Sequence, residues 1–139
     1  MTSSRCVLDT NVFVSAALFR RSKLARVFRE VLKTGNLLVS LKTLEELRDV
    51  LNCKKFDRYI TSKDKRDILA LVIRRSTLID PSIEITVCRD PKDKMILELA
   101  VSGEANFIIT GDEDLLILNP FQSIQILTPD AWLMCFRKS

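Results

Sequence analysis

Short apolar runs alternate along the chain with longer stretches in which apolar residues recur every three or four positions. Runs typical of buried strands lie at 6–8, 37–39, 106–110 and 124–127. Stretches with the spacing of amphipathic or buried helices lie at 12–19, 22–33, 41–51, 61–73, 94–101 and 129–136. This alternation predicts the α/β class: a three-layer α/β/α sandwich around a short, mainly parallel central sheet of four or five strands.

The segment that follows the helix at 61–73 has a different pattern. Residues 78–79 are apolar and precede the turn-forming pair Asp80-Pro81. Beyond this turn Ile83, Ile85 and Val87 alternate with polar residues, which predicts a half-buried strand at 83–87.

Length and composition favour one compact domain. The chain has 139 residues, of which 47% are hydrophobic, so a single domain spanning 1–139 can bury an ordinary core. The first residues are too polar for a signal peptide, and no apolar run reaches the ~20 residues of a membrane span. We therefore expect a soluble cytoplasmic protein without a membrane partner.

The absence of histidine limits the catalytic mechanisms that this chain can use. Ser-His-Asp and Cys-His catalysis are excluded, and any acid–base step falls to carboxylates, lysines, the single tyrosine or an ion-activated water. The four cysteines are far apart, which disfavours a zinc site, and we expect each to be a buried small apolar residue without a disulfide. They lie at Cys6, Cys53, Cys88 and Cys135.

Acidic residues recur where the predicted elements meet. Asp9 follows the first strand, and Asp112 follows the strand at 106–110. Asp93 lies in the first turn of a helix, three and four residues before apolar positions, so it is expected to face the buried side. In the helix at 41–51, Glu46 lies about 110° from the centre of the apolar stripe and Glu45 about 150°, which favours Glu46 as the inward carboxylate.

These four acids predict a metal site. Carboxyl ends of parallel strands are where open α/β sheets bind ligands, and converging carboxylates repel unless a cation lies among them. Oxygen ligands favour a magnesium or manganese ion. In the competing interpretation each acid has a local role, as a helix cap, a solvated side chain or part of a turn. Asp90 competes with Asp93 for the third position, but Asp90-Pro91 is more typical of a turn before a helix.

Positive charge is concentrated on one predicted helix. The net charge is +4, and much of the excess lies at Arg20, Arg21, Lys23, Arg26, Arg29 and Lys33. This face is a candidate surface for the phosphate backbone of a nucleic acid. An ordinary solvated face, or a face that docks a protein partner, accounts for the same pattern equally well.

The order and spacing of four motifs are similar to those of the PIN-domain ribonucleases, close to the toxins of toxin–antitoxin pairs. The resemblance covers essentially the whole chain. The motifs are Leu8-Asp9-Thr10-Asn11-Val12, Thr43-Leu44-Glu45-Glu46-Leu47, Arg89-Asp90-Pro91-Lys92-Asp93 and Ile109-Thr110-Gly111-Asp112-Glu113-Asp114-Leu115.

The resemblance implies a role for each matching residue. The catalytic, metal-binding acids would be Asp9, Glu46, Asp93 and Asp112, with Asp114 as a further metal ligand. The residues that support them would be Thr10, Asn11, Asp90 and Thr110. The implied activity is Mg²⁺- or Mn²⁺-dependent cleavage of single-stranded RNA, bound along Arg20, Arg21, Lys23, Arg26 and Arg29. An antitoxin protein and a second copy of the chain are the implied partners.

Two other functions compete with the nuclease. A non-catalytic RNA- or protein-binding module would retain the fold but cleave no RNA. A phosphotransfer protein is disfavoured, because aspartate-nucleophile phosphatases need a second Asp where this chain has Asn11, and receiver domains need paired acids where Asp9 stands alone. A metal-dependent nuclease assay with an Asp9→Asn control separates these functions.

Overall fold

The computed structural model describes residues 4–138, apart from the side chains of residues 34, 35 and 136–138. Its strands are β1 (Ser4–Leu8), β2 (Gly35–Val39), β3 (Ser76–Leu78), β4 (Phe107–Ile109) and β5 (Gln125–Leu127). Its α-helices are α1 (Thr10–Leu18), α2 (Lys23–Thr34), α3 (Leu41–Leu51), α4 (Ser62–Arg75), α5 (Pro91–Ser102), α6 (Glu113–Leu116) and α7 (Pro129–Lys138). A 3₁₀ turn at Lys54–Phe56 joins α3 to α4.

The five strands form one parallel sheet in the order β3-β2-β1-β4-β5. The chain builds the sheet outward from β1 through β2 to β3, then returns to place β4 on the other side of β1. The strand order therefore reverses between β1 and β4. In open α/β sheets, ligands bind at the carboxyl edge of such a reversal point.

Alternate residues of the strands enter two separate cores. Cys6 and Leu8 of β1 pack with α1, α2, α3, α4 and α7, whereas Val7 packs with α5 and α6 on the opposite face. The same division separates Ile109 from Ile108 in β4. Because successive side chains of a strand point to opposite faces, helices cover both faces of the sheet. The predicted three-layer α/β/α sandwich with a parallel sheet is confirmed.

Side-chain caps define the starts of two helices. Ser40 Oγ accepts the N–H of Thr43 at 3.2 Å, and Thr43 Oγ1 accepts the N–H of Ser40 at 2.9 Å, which forms a capping box at α3. Thr128 Oγ1 accepts the N–H of Ala131 at 3.1 Å at the start of α7. These caps fix where α3 and α7 leave the edge of the sheet.

The predicted strand at 83–87 is wrong. This segment has no strand structure; Ile85 is buried, but Ile83 is 39% exposed and Val87 is 60% exposed. Its backbone is held by a side chain rather than by a neighbouring strand, since the N–H of Ile85 donates to Glu98 Oε2 of α5 at 2.9 Å. Of the three apolar positions in this segment, the pattern predicted burial correctly only for Ile85. The third strand is instead β3, at the end of α4.

The expectation for the cysteines is also largely wrong. Cys6 is buried, and burial raises the pKa of its thiol to about 12. Cys88 is only partly buried, and Cys53 and Cys135 are exposed. All four are free thiols.

Within residues 4–138, no helix is both long enough and apolar enough to cross a lipid bilayer.

Candidate functional site

The carboxyl ends of β1 and β4 bring two acids together. Asp9 follows β1 directly, and its N–H donates to the carbonyl of Ile109 at 3.1 Å, which extends the pairing of the two strands by one residue. Thr110, which is fully buried, donates its hydroxyl to Asp9 Oδ2 at 2.7 Å and accepts the N–H of Asp112 at 3.0 Å. One threonine thus fixes the carboxylate of Asp9 and the backbone of Asp112 at the same edge.

Three acids at this edge also cap helices. Asp9, Asp90 and Asp112 are the N-cap residues of α1, α5 and α6. In each case one carboxylate oxygen accepts the N–H two residues further on, from Asn11 at 3.4 Å, Lys92 at 2.9 Å and Asp114 at 2.9 Å. The local capping roles and the convergence of the acids are therefore both present, and neither excludes the other.

Asp93 is the buried acid of the group. It lies in the first turn of α5 and is 5% exposed. Burial, the hydrogen bond and negative charge of Asp112, and the charges of Asp90 and Asp9 together raise the pKa of Asp93 to about 7. The charged form of Asp93 is thus disfavoured first by burial and then by the neighbouring acids.

These residues surround a cavity of about 180 Å³, which we call the acidic cavity. It is lined by Asp9, Thr10, Asn11, Glu46, Val50, Asp90, Lys92, Asp93, Met95, Ile96 and Asp112. Five carboxylates and a single lysine line it. Its charge is therefore strongly negative, with an apolar wall contributed by α3 and α5.

The donor set fits a hard divalent cation. Asp93, Asp112 and Asp114 can each offer one carboxylate oxygen such that the three oxygens lie within 4.8 Å of one another. Oxygen-only donors of this kind suit Mg²⁺ or Mn²⁺. A cation would also neutralise the repulsion that raises the pKa of Asp93. Asp114 is exposed and does not line the acidic cavity, so it approaches the group from outside.

The two glutamates of α3 differ in the expected direction. Glu46 lines the acidic cavity with a side chain that is 21% exposed, whereas Glu45 is exposed and lies outside the cavity. Glu46 Oε1 lies 3.3 Å from Lys92 Nζ. Lys92 is a cation at the cavity that we did not identify from the sequence. Its position between Asp90 and Asp93 in the third motif was the available signal.

The five residues predicted to bind RNA lie away from the acidic cavity, since none of them is in its lining. Lys23 Nζ forms an ion pair with Asp130 Oδ1 at 2.9 Å, and Arg29 Nη1 donates to the carbonyl of Arg20 at 3.1 Å. Arg26 is exposed on α2. The role of this surface remains a prediction.

Neutralising the exposed charge of α2 tests that prediction. If α2 follows the phosphate backbone, the double variant Arg26→Gln and Arg29→Gln should bind RNAs of different sequence more weakly by a similar factor. It should also lower the slope of log affinity against log salt by roughly one to two. Binding titrations at several salt concentrations measure both effects, with Arg66→Gln on α4 as the control. An unchanged slope would assign this face to solvent or to a protein partner.

Comparison with known proteins places this arrangement in a family. A family model for the PIN domain matches residues 5–114. The chain belongs to the PIN domain family. The match includes Asp9, Glu46, Asp93, Asp112 and Asp114, and PIN domains are typically nucleases.

A curated relative and two solved structures resemble this PIN domain. An uncharacterised protein of Methanocaldococcus jannaschii is 30% identical over 116 residues, which are 82% of this chain and 74% of the relative. VapBC2 from Rickettsia felis, solved with a DNA fragment from its promoter, superposes with a TM-score of 0.61 at 15% identity, over 88% of this chain and 96% of that one. PAE2754 from Pyrobaculum aerophilum superposes with a TM-score of 0.61 at 12% identity, over 99% and 91%. These two structures share the fold.

Proposed function

We propose that residues 1–139 form one PIN nuclease domain that cleaves single-stranded RNA with the help of Mg²⁺ or Mn²⁺. The observation that carries the proposal is the meeting of Asp9, Glu46, Asp93 and Asp112 in the acidic cavity. Membership of a family whose domains are typically nucleases gives that cavity a reaction class. The absence of histidine from the chain leaves carboxylates as the residues that can assemble such a site.

In this proposal the four acids, together with Asp114, hold the ion. When bound, the ion supplies a Lewis acid that polarises a phosphate oxygen and makes water nucleophilic at neutral pH. Thr110 holds Asp9 through its hydroxyl and Asp112 through its backbone, so both carboxylates are oriented before the substrate arrives. Thr10 and Asn11 line the cavity beside Asp9, and Asp90 fixes the start of the helix that carries Asp93.

Lys92 supplies the positive charge that the acids lack. The Lys92 side chain is 69% exposed while its ammonium group contacts Glu46, so it can leave that contact at low energetic cost. We assign it to a non-bridging oxygen of the substrate phosphate, where a cation offsets the charge that develops during cleavage. The same lysine also weakens the repulsion between Glu46 and the incoming phosphate.

The resemblance to toxin-type PIN proteins also implies a biological role for this chain. We propose a toxin-like cytoplasmic protein with an antitoxin partner, supported by the fold shared with VapBC2. Homodimerisation, common among such proteins, belongs to this proposal. We assign RNA binding to five basic residues on α2 and just before it: Arg20, Arg21, Lys23, Arg26 and Arg29.

The two glutamates of α3 provide an internal control for the nuclease assay. Single-stranded RNA incubated with Mn²⁺ or Mg²⁺ should be cleaved by the wild type and by Glu45→Gln. Cleavage should fall at least about 100-fold in Glu46→Gln, and both EDTA and Asp9→Asn should abolish it. Glu45 and Glu46 are neighbours on one helix, so a change in expression or helix stability would affect both variants alike. Equal loss of cleavage in both variants would show that Glu46 has no specific role in the site. Absence of cleavage by the wild type would favour a non-catalytic binding module.

A further inference from the structure

A second cleft lies at the far end of α1, and we refer to it as the aromatic cleft. It has a volume of about 660 Å³ and lies between the connector that follows α1 and the start of α4. Phe19 and Tyr59 line it, and these residues are 54% and 60% exposed. Arg20 and Arg21 lie beside Phe19 in the same lining. The rest of its apolar lining comes from α1, α2 and α4 and from Ile60.

Both aromatic residues are on turns that the backbone holds in place. The carbonyl of Phe19 accepts the Ser22 hydroxyl at 2.6 Å and the Ser22 N–H at 3.0 Å. The N–H of Tyr59 donates to the carbonyl of Phe56 at 2.9 Å, and the next residue, Ile60, is buried. The rings are therefore exposed but attached to fixed backbone, so binding through them costs little conformational freedom.

Charge distinguishes the aromatic cleft from the acidic cavity and from a groove beside it. The acidic cavity contains five carboxylates and one lysine. A groove between α3 and α5, which shares Glu46 and Lys92 with that cavity, contains six carboxylates and three lysines. In the aromatic cleft two arginines balance two aspartates, and the Oδ2 of Asp64, one of the two, accepts the N–H of Thr61 at 3.3 Å. It thus repels a phosphate backbone less than the acidic cavity and the groove between α3 and α5 do.

We infer that the aromatic cleft binds unpaired nucleotides of the RNA whose cleavage is proposed above. Exposed aromatic rings next to guanidinium groups form the surface on which single-stranded bases stack, because every base offers a π-face. This site rests on the proposed ribonuclease function and extends it. It adds Phe19 and Tyr59 to the arginines and gives the enzyme a hold on RNA outside its acidic cavity.

The position of α1 sets the spacing of the two sites. Its first residue, Thr10, lines the acidic cavity, and its last, Leu18, lines the aromatic cleft. A helix of nine residues is about 14 Å long. At the ~3.4 Å rise of a stacked strand this distance is about four nucleotides. RNAs shorter than this should be poor substrates through a higher KM.

Ring-selective variants test the aromatic cleft. Affinity for a fluorescein-labelled single-stranded RNA that is long enough to reach both sites is measured by anisotropy in EDTA, so that neither cleavage nor a metal ion contributes. Phe19→Leu and Tyr59→Leu retain apolar bulk but remove the π-face, and each should weaken binding by roughly 5- to 100-fold. Tyr59→Phe should bind like the wild type, as should Ile117→Ala at a 78% exposed apolar position outside the cleft. With metal present, the Leu variants should raise KM and leave kcat at saturating RNA unchanged.

Two results would overturn this assignment, and they differ from each other. Wild-type RNA affinity in both Leu variants, with wild-type cleavage retained, would show that bases do not stack in the cleft; the proposed nuclease would stand. If the wild type neither binds nor cleaves RNA, both the proposed function and the RNA-binding role of the aromatic cleft are wrong. Because Phe19 and Tyr59 are exposed, the variants should fold, and unchanged melting curves would verify this.

Discussion

Replacing Asp93 by Asn is expected to lower metal-dependent RNA cleavage by at least about 10²- to 10³-fold. Asp93 is the most buried of the acids in the cavity, and its carboxylate oxygen can meet those of Asp112 and Asp114 within 4.8 Å. Asparagine has nearly the same shape, so the variant removes a charged ligand without opening a hole in the core. Asp112→Asn should lower cleavage by a similar factor, because it also removes a charged ligand. Asparagine can still cap α6, so the turn should keep its structure.

Glu113→Gln is the matched control for this experiment. Glu113 lies between Asp112 and Asp114 on the same turn, but it is exposed and does not line the acidic cavity. Initial rates on one RNA substrate at saturating Mn²⁺ should therefore be close to those of the wild type. A loss in Glu113→Gln as large as that in Asp112→Asn would indicate that the charge of the whole turn matters rather than a specific ligand set.

The second large effect is on thermal stability and needs no substrate. A divalent cation that binds the folded state alone adds about 2.7 kcal/mol when free metal is ~100 times its dissociation constant. For a domain of this size the expected rise in Tm is on the order of 6 to 15 °C. Sodium at matched ionic strength should produce no such rise, and Asp93→Asn should reduce it. A wild-type Tm that is indifferent to millimolar Mn²⁺ would contradict a strong metal site.

The pH dependence of that stability has a definite sign. Asp93 has a pKa of about 7 in the folded chain, above its ordinary value near 3.9 in an unfolded chain. A raised pKa means that folding is favoured while Asp93 is protonated. Its contribution is fully present below about pH 4 and is lost as pH rises through about 7.

Metal-free wild type should therefore lose stability between about pH 4 and 7 relative to Asp93→Asn, which carries no charge at this position. Metal affinity should change in the opposite direction, weakening as pH falls below about 7, because the proton competes for the same oxygen. Melting curves of both proteins in EDTA and in Mn²⁺ across this range measure the two trends. A constant Tm difference in EDTA would show that Asp93 does not titrate near neutrality.

The positions of the acids were predictable from the sequence because local patterns determine them. An apolar run followed by an acid places Asp9 and Asp112 at strand ends, and helical phasing separates Glu46 from Glu45. The contact between Lys92 and Glu46 could not be predicted in this way, because it depends on how α3 packs against α5. The aromatic cleft is a similar case, since Phe19 and Tyr59 are on connectors separated by two helices and a strand.

The missing strand at 83–87 shows the limit of periodicity. Alternating apolar residues form a strand only if the segment also pairs with a neighbouring strand, and residues 83–87 pair with neither edge strand of the sheet, β3 or β5. Residues 83–87 were left to pack one side chain, Ile85, on α5. Sheet membership is a property of the whole topology, which a short window of sequence does not contain.

The pairing of β1 with β4 also sets when the site exists during protein synthesis. Cys6 lies opposite Phe107, and Asp9 must wait for Asp93 and Asp112 before the acidic cavity has its walls. At ~5–20 residues per second, translation separates the appearance of Asp9 from that of Asp112 by roughly 5 to 20 s. A nascent chain therefore has no complete cluster of acids until Asp112 has been made. If the acids act as the proposed nuclease site, a fragment that ends before Asp112 should cleave no RNA, because its cluster of acids is incomplete.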